Sequence, residues 1–187
     1  MTASDIIEGL HEVNDTTPNA TWQSWLDAPK TRFGALSALI GKCYKATPTG
    51  ESAEQTTDIQ HWTLGLGGAA IVIEHALEDG SYGGISYVYP TPESDQFTYV
   101  YITNAGFHTQ GTVVVNDDQS FTASETVSGH PSITEVRSLS RFDESGLVSM
   151  SSEFLDDGTW TPGPAFTHEV TTEPFPILNS PSATSED

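Results

Sequence analysis

Short strand-like segments follow one another between residues 56 and 170, with no helical pattern among them. The segments are rich in Val, Ile, Thr, Tyr and Phe, and polar turn residues separate them. The clearest turns are Glu78-Asp79-Gly80, Asn116-Asp117-Asp118, Asp143-Glu144-Ser145-Gly146 and Asp156-Asp157-Gly158. Strands that are joined by hairpins pair antiparallel, and a long sheet of this kind loses its exposed edges when it closes. The sequence therefore predicts an all-β fold, an antiparallel up-and-down β-barrel of about ten strands.

The predicted strands cover residues 40–46, 61–66, 69–77, 82–89, 96–103, 107–115, 121–127, 132–142, 147–155 and 160–170. The glycine-rich stretch 65–68 is too flexible for a flat strand, so we expect a bulge or a sharp corner there.

Composition divides the chain into three regions. We expect an N-terminal helical or irregular extension over 1–32, the barrel over 33–172, and a Pro/Ser/acidic tail over 173–187. Within residues 22–39 apolar side chains recur at helical spacing, which predicts a helix that is interrupted at Pro29. Such a helix is able to plug one end of the barrel.

The chain is strongly acidic, with 26 Asp and Glu residues against 6 Lys and Arg and a formal net charge of −20. This charge repels phosphate backbones and anionic lipids, so we expect neither nucleic acid nor membrane as a partner. General solubility in a salty habitat is the favoured explanation of the acidity, and a docking surface for a basic partner is the alternative.

Three further features predict a cytoplasmic protein. No apolar stretch approaches the roughly 18 residues of a membrane span. The first residues lack the basic and apolar regions of a secretory signal. The single cysteine, Cys43, agrees with a reducing compartment.

His75 is the most informative histidine, because it alternates with Ile71, Ile73 and Leu77 on one face of a predicted strand. A histidine that faces a barrel interior can transfer protons or bind a ligand carboxylate. A hydrogen-bonded core histidine is the commoner outcome. His108 begins another strand, near an end of the barrel, where a ligand has easier access.

Tyrosines form a second candidate group. Tyr87 and Tyr89 share a face of one predicted strand, and Tyr99 and Tyr101 share a face of the next. We expect them to be cross-strand neighbours. They form either an aromatic ladder or a wall that stacks on a flat ligand and offers hydroxyl groups to it.

Arg137 lies four residues before Arg141, so the two share a strand face. On an interior face an arginine must be paired or must meet an anionic ligand. An exterior position is favoured, because Val136 and Phe142 on the opposite face resemble core residues. Glu153 is a further candidate for proton transfer.

Established catalytic signatures are absent: there is no Gly-Lys phosphate loop, no Cys-x-x-Cys pair, no His-Glu-x-x-His and no Gly-x-Ser-x-Gly. The histidines at 11, 61, 75, 108, 130 and 168 are never two or four residues apart, so we expect no metal site.

Four segments carry a resemblance to a known family: residues 36–44 (LSALIGKCY), 68–74 (GAAIVIE), 83–90 (GGISYVYP) with 97–99 (FTY), and 157–162 (DGTWTP). Their order over residues 33–170 resembles a family of uncharacterised bacterial calycin-like barrels, distant relatives of lipocalins, fatty-acid-binding proteins and nitrobindins. The resemblance implies a barrel with an interior cavity and brings no catalytic residues. No cofactor is expected. The alternative is haem bound through His168, because nitrobindin-like barrels use a late histidine, although their Gly-x-Trp-x-Gly opening is absent here.

The leading hypothesis is a barrel that binds a small, partly apolar molecule in its interior. The candidate ligand-binding residues are His75, Tyr87, Tyr99, Tyr101, His108, Arg137 and Glu153. One alternative is an enzyme that isomerises, cyclises or hydrates a small metabolite in the cavity. A structural or oligomerising module with a filled barrel is the other. A small-molecule ligand is the expected partner, and a homodimer stays open.

Overall fold

The computed structural model describes residues 32–50, 55–92 and 94–179. These residues form a closed barrel of ten antiparallel strands in which β1 pairs with β10 and every other pair joins neighbours in sequence. The strands are β1 (Lys42–Pro48), β2 (Asp58–Gly65), β3 (Ala70–Leu77), β4 (Gly83–Pro90), β5 (Phe97–Thr103), β6 (His108–Asn116), β7 (Ser120–Ser128), β8 (Ile133–Asp143), β9 (Gly146–Asp156) and β10 (Thr159–Val170). The predicted up-and-down barrel of about ten strands is confirmed.

The predicted turns join consecutive strands. Between β9 and β10, Asp157 has φ 47° and Gly158 has φ 78°, the two left-handed residues of a tight hairpin turn. The glycine-rich stretch forms a sharp corner between β2 and β3, a single 3-10 turn over Leu66–Gly68 in which Gly67 has φ 64°. Turn chemistry therefore sets where the strands end, and strand alternation sets which side chains point inward.

The structure does not support the predicted helix over 22–39. Residues up to 31, which include most of the expected N-terminal extension, lie outside the described residues. The described end of the segment contains a short 3-10 helix, Gly34–Leu39, which stops where Ile40 becomes extended. Residues 180–187 of the expected tail are also outside the described part. Within the described ranges, no helix is long and apolar enough to cross a membrane.

The 3-10 helix fills one end of the barrel. Phe33, Leu36 and Leu39 are almost fully buried. They belong to a hydrophobic cluster that also contains large side chains from the strands, namely Tyr44, Trp62, Ile71, Val88, Phe97, Val113, Phe121, Phe142 and Leu147. We call this the closed end, where β1 begins and β10 ends. The opposite end, where β1 ends and β10 begins, is called the cavity end.

Residues 171–179 continue from β10 along the outside of the barrel. The Thr171 backbone N–H donates to the Cys43 carbonyl over 2.9 Å, and the Asn179 N–H donates to the Gly80 carbonyl over 2.9 Å. Between them the Phe175 ring packs on His61, with ring centroids 4.9 Å apart. This part of the chain is therefore docked against β1, β2 and the β3–β4 turn.

Candidate functional site

A cavity of about 490 Å³ occupies the cavity end of the barrel. Its wall is mainly apolar, and the apolar side chains in it are Trp62, Ile73, Leu77, Phe107, Val127, Ile133, Val136, Met150, Phe154, Pro164 and Phe166. The space exists because small side chains, Ser86, Ser138 and Ser152, take inward positions here. At the closed end, large aliphatic and aromatic side chains fill the equivalent positions. The alternative of a filled barrel does not fit this half.

A chain of four hydrogen-bonded side chains crosses the cavity wall. Asp58 Oδ2 lies 2.6 Å from His75 Nδ1, and His75 Nε2 lies 2.6 Å from the Tyr101 hydroxyl. The Tyr101 hydroxyl lies 2.7 Å from that of Tyr82. His75 and Tyr101 belong to β3 and β5, with β4 between them. Gly84 makes the contact possible, because a Cβ there would lie 2.5 Å from Cε2 of Tyr101.

The partners of His75 set the direction of the hydrogen bonds. An ionised Asp58 only accepts, so His75 Nδ1 carries a proton and donates it. In the neutral imidazole, Nε2 then accepts from Tyr101, whose oxygen accepts from Tyr82. Burial, followed by the nearby Tyr82, raises the pKa of Tyr101, and burial also raises the pKa of Tyr82. Both tyrosines therefore remain protonated donors at neutral pH.

Asp58 is 5% exposed, and its second oxygen, Oδ1, is buried without a hydrogen-bond partner among the described residues. Among the described residues, His75 is the one side chain that holds the carboxylate. This is the arrangement in which an acidic residue orients a histidine and stabilises its protonated form.

Glu125 is a second carboxyl group in the wall, on β7. It accepts a hydrogen bond from the Thr109 hydroxyl of β6. Burial raises the pKa of Glu125 to about 7, although the bond from Thr109 acts in the opposite direction. At neutral pH this side chain is therefore close to the midpoint of its titration.

Two further polar groups face the cavity. The Tyr99 hydroxyl lies 2.8 Å from Ser86 Oγ, and burial raises the pKa of Tyr99. His130, in the β7–β8 connection, accepts from the backbone N–H groups of Ser132 and Ile133 through Nδ1, over 3.3 and 3.0 Å. In a neutral His130 the proton is therefore on Nε2, where it can be donated to a ligand.

The structure brings three of the predicted site residues together in the cavity wall: His75, Tyr99 and Tyr101. Tyr87 is not among them. It pairs with Val100, whereas Val88 pairs with Tyr99 and Ser86 with Tyr101. Directly opposed residues share a face, so Tyr87 lies on the other face from Tyr99 and Tyr101. The expected wall of cross-strand tyrosines is therefore not formed.

Arg137, Glu153 and His108 lie outside the cavity. Arg137 Nε donates to Glu153 Oε2 over 2.6 Å, and its guanidinium lies 4.1 Å above the Trp160 ring. Both charged side chains are about half exposed, at 50% and 48%. The inward positions next to Arg137 belong to Val136 and Ser138. His108 is likewise exposed, because its neighbours Phe107 and Thr109 point inward. The favoured exterior position of Arg137 agrees with this placement, and none of the three candidate residues contributes to the cavity wall.

His168 does not fit the role of a haem ligand. Its ring lies between the cavity and the closed end, edge-on to Tyr44 with centroids 6.4 Å apart, and it is not part of the cavity wall. Its Nε2 lies 3.5 Å from the Gln60 amide nitrogen, and Nδ1 is buried without a partner among the described residues. Burial lowers the pKa of His168 to about 4. The histidine is neutral, as a ligand must be, but neither nitrogen is presented to the cavity.

Within the described ranges, no group of three or more His, Cys, Asp or Glu side chains is placed to hold a metal ion.

Sequence reasoning missed Asp58, Tyr82, Glu125 and His130 as cavity residues. Only Glu125 leaves a usable signal, because it alternates with Phe121, Ala123 and Val127 on an otherwise apolar strand face. Asp58 and Tyr82 lie at the ends of strands, where the alternation of apolar and polar residues does not define which side chains point inward.

No protein-family model matches this chain, and no curated protein matches it either. The crystal structure of Rv2717c from M. tuberculosis is similar, with a TM-score of 0.54 and 14% sequence identity. The match covers 74% of this chain and 96% of that chain. At this identity the similarity shows the fold alone.

Proposed function

We propose that this protein binds a small, largely apolar molecule inside the cavity end of the barrel, as the resemblance to calycin-like barrels implies. The observation that carries the proposal is the cavity of about 490 Å³, which has a mainly apolar wall and a few convergent polar groups. This combination is typical of small-molecule sites. The closed end and the ring of paired strands provide a rigid frame, so the site is largely formed before a ligand arrives.

The polar groups in the wall orient the ligand. The Tyr82–Tyr101–His75 chain offers one hydrogen-bonding point, and Glu125 with Thr109 offers a second. The apolar part of the ligand then packs against Phe154, where burial of its surface drives binding.

Filling part of the cavity is expected to weaken binding. In the Ser138→Phe variant a phenyl ring occupies the cavity space beside the small serine side chain. The affinity for the neutral fluorescent probe N-phenyl-1-naphthylamine should therefore fall at least about tenfold. Ser124→Phe is the matched control, because Ser124 is exposed on β7. Fluorescence titration measures the affinity, and thermal denaturation checks that both variants fold. Equal affinity of wild type and a folded Ser138→Phe variant contradicts a binding site in the cavity.

The Asp58–His75–Tyr101 chain favours a second candidate, an acid–base enzyme. A substrate proton accepted by the Tyr82 oxygen displaces the Tyr82 proton to Tyr101, and the Tyr101 proton passes to His75 Nε2. The resulting imidazolium is stabilised by Asp58 at 2.6 Å. The same chain run backwards returns a proton. Such transfer serves the isomerisation, cyclisation or hydration of a small metabolite.

The enzyme candidate predicts loss of turnover when the chain is broken. Wild-type protein is incubated with a small-molecule extract of its own organism, and mass spectrometry follows compounds that are consumed. Tyr101→Phe and His75→Gln should each slow that conversion at least about 100-fold. Tyr89→Phe is the control, because Tyr89 is an exposed tyrosine of β4. A conversion that neither cavity variant slows excludes this chain as its catalyst.

A further inference from the structure

Building on the proposed binding function, we infer that the ligand is an organic cation, an amphiphilic amine or ammonium compound whose charged group is held by the Glu125 carboxylate. A fatty acid or an organic phosphate is the opposite class, and the cavity is poorly suited to it.

The first argument for a cationic ligand comes from the positions of the basic residues. Five of the six Lys and Arg residues are described, and none lines the cavity. Arg32 donates to the Gly68 carbonyl and Lys42 to the Ser145 carbonyl. Lys45 forms ion pairs with Glu78 and Glu173, and Arg137 forms one with Glu153. Arg141 lies 3.7 Å from Asp118. An anionic head group would meet no guanidinium or ammonium group in the described wall.

The second argument for a cationic ligand comes from the two carboxyl groups in the cavity wall. Asp58 is engaged by His75, 2.6 Å away. Glu125 has only the neutral Thr109 hydroxyl as its partner among the described residues. An ionised Glu125 is thus a largely buried charge with no counter-ion in the described part of the chain, and a cation bound beside it would remove the cost of burying that charge.

The third argument for a cationic ligand comes from the aromatic side chains that line the cavity. Seven Trp, Tyr and Phe side chains line the cavity, among them Trp62, Tyr99 and Phe107. Aromatic faces attract cations but not anions, and the attraction grows when the cation is desolvated. The net charge of −20 adds a long-range field that concentrates cations around the protein.

Three probes with the same alkyl chain separate the classes: octyltrimethylammonium, 1-octanol and octanoate, measured by calorimetry. At pH 8 the ammonium probe should bind at least about tenfold more tightly than octanol, and octanoate should bind most weakly. The quaternary charge does not titrate, so any pH dependence comes from the protein. Between pH 6 and pH 8 the affinity for the ammonium probe should rise about tenfold, as Glu125 ionises.

Other titratable groups also face the cavity: Asp58 and His75 on β2 and β3, Tyr82 in the β3–β4 turn, Tyr99 and Tyr101 on β5, and His130 after β7. The neighbouring strands β6 and β8 contribute only uncharged groups near Glu125, namely Thr109, Val136 and Ser138.

The Glu125→Gln variant separates the contribution of the glutamate from that of the other titratable groups, because those groups remain. This variant should lose both the ammonium preference and the pH effect while it keeps its affinity for octanol. The exposed Glu74→Gln change on β3 should alter neither.

The outcomes are distinguishable. Equal binding of ammonium probe and octanol at pH 8, tightest binding of octanoate, or an unchanged pH effect in Glu125→Gln overturns the cation inference and leaves the proposed function intact. Failure of all three probes to bind the wild-type protein at millimolar concentration overturns both.

Discussion

Replacement of Leu39 by alanine is expected to lower the free energy of unfolding by about 2–5 kcal/mol. Leu39 has 0% exposure and ends the 3-10 helix whose side chains close the barrel. The change removes buried methyl groups and leaves a void, because the surrounding strands are hydrogen-bonded on both sides and collapse only partly. Urea denaturation followed by circular dichroism measures the effect.

Leu66→Ala is the matched control for Leu39→Ala. Leu66 is 75% exposed in the corner between β2 and β3, so the same chemical change should alter stability by less than about 0.5 kcal/mol. A loss below about 1 kcal/mol for Leu39→Ala contradicts a structural role for the 3-10 helix.

Glu125→Gln is expected to stabilise the protein increasingly as the pH rises. Burial raises the folded-state pKa of Glu125 from 4.5 to about 7. At pH 4 the carboxyl group is mostly protonated in both states and contributes little. As the pH rises from about 4.5 to 7, the unfolded state loses the proton that the folded state keeps, so wild-type stability falls, and it levels off above pH 7. Relative to wild type, the glutamine variant should therefore gain up to about 3 kcal/mol between pH 4 and pH 8.

Urea denaturation at several pH values, without added ligand, tests this prediction. The exposed Glu74→Gln variant should follow the wild-type pH profile. A stability difference between Glu125→Gln and wild type that stays constant from pH 4 to pH 8 shows that Glu125 titrates normally and is not desolvated.

Much of the fold follows from local pattern. The turn residues mark the strand ends, and alternation correctly turns His75 inward with Ile73 and Leu77. β2 begins at Asp58, three residues before the predicted start at 61, because the polar Asp58 and Gln60 break the apolar pattern of the strand. Those two side chains face the cavity, so their polarity reflects the site rather than a loop.

The missed parts of the site depend on long-range register. Spacing within the strands groups Tyr87 with Tyr99 and Tyr101, but the β4–β5 register opposes Tyr87 to Val100, and a shift of one residue would reverse the faces. The contact between His75 and Tyr101 needs the absent side chain of Gly84 on the strand between them. Neither property can be derived from the spacing of residues within a single strand.

The most direct test of a cavity ligand uses the methionines. The chain has two methionines, Met1 and Met150, and Met150 lines the cavity. Protein labelled with ¹³C at the methionine methyl groups therefore gives a reporter inside the barrel, and the Met150→Leu variant assigns its resonance. A small-molecule extract of the protein's own organism should shift the Met150 methyl resonance. Binding of an extract component, detected by mass spectrometry of the intact complex, that leaves Met150 unshifted would contradict a ligand site inside the barrel.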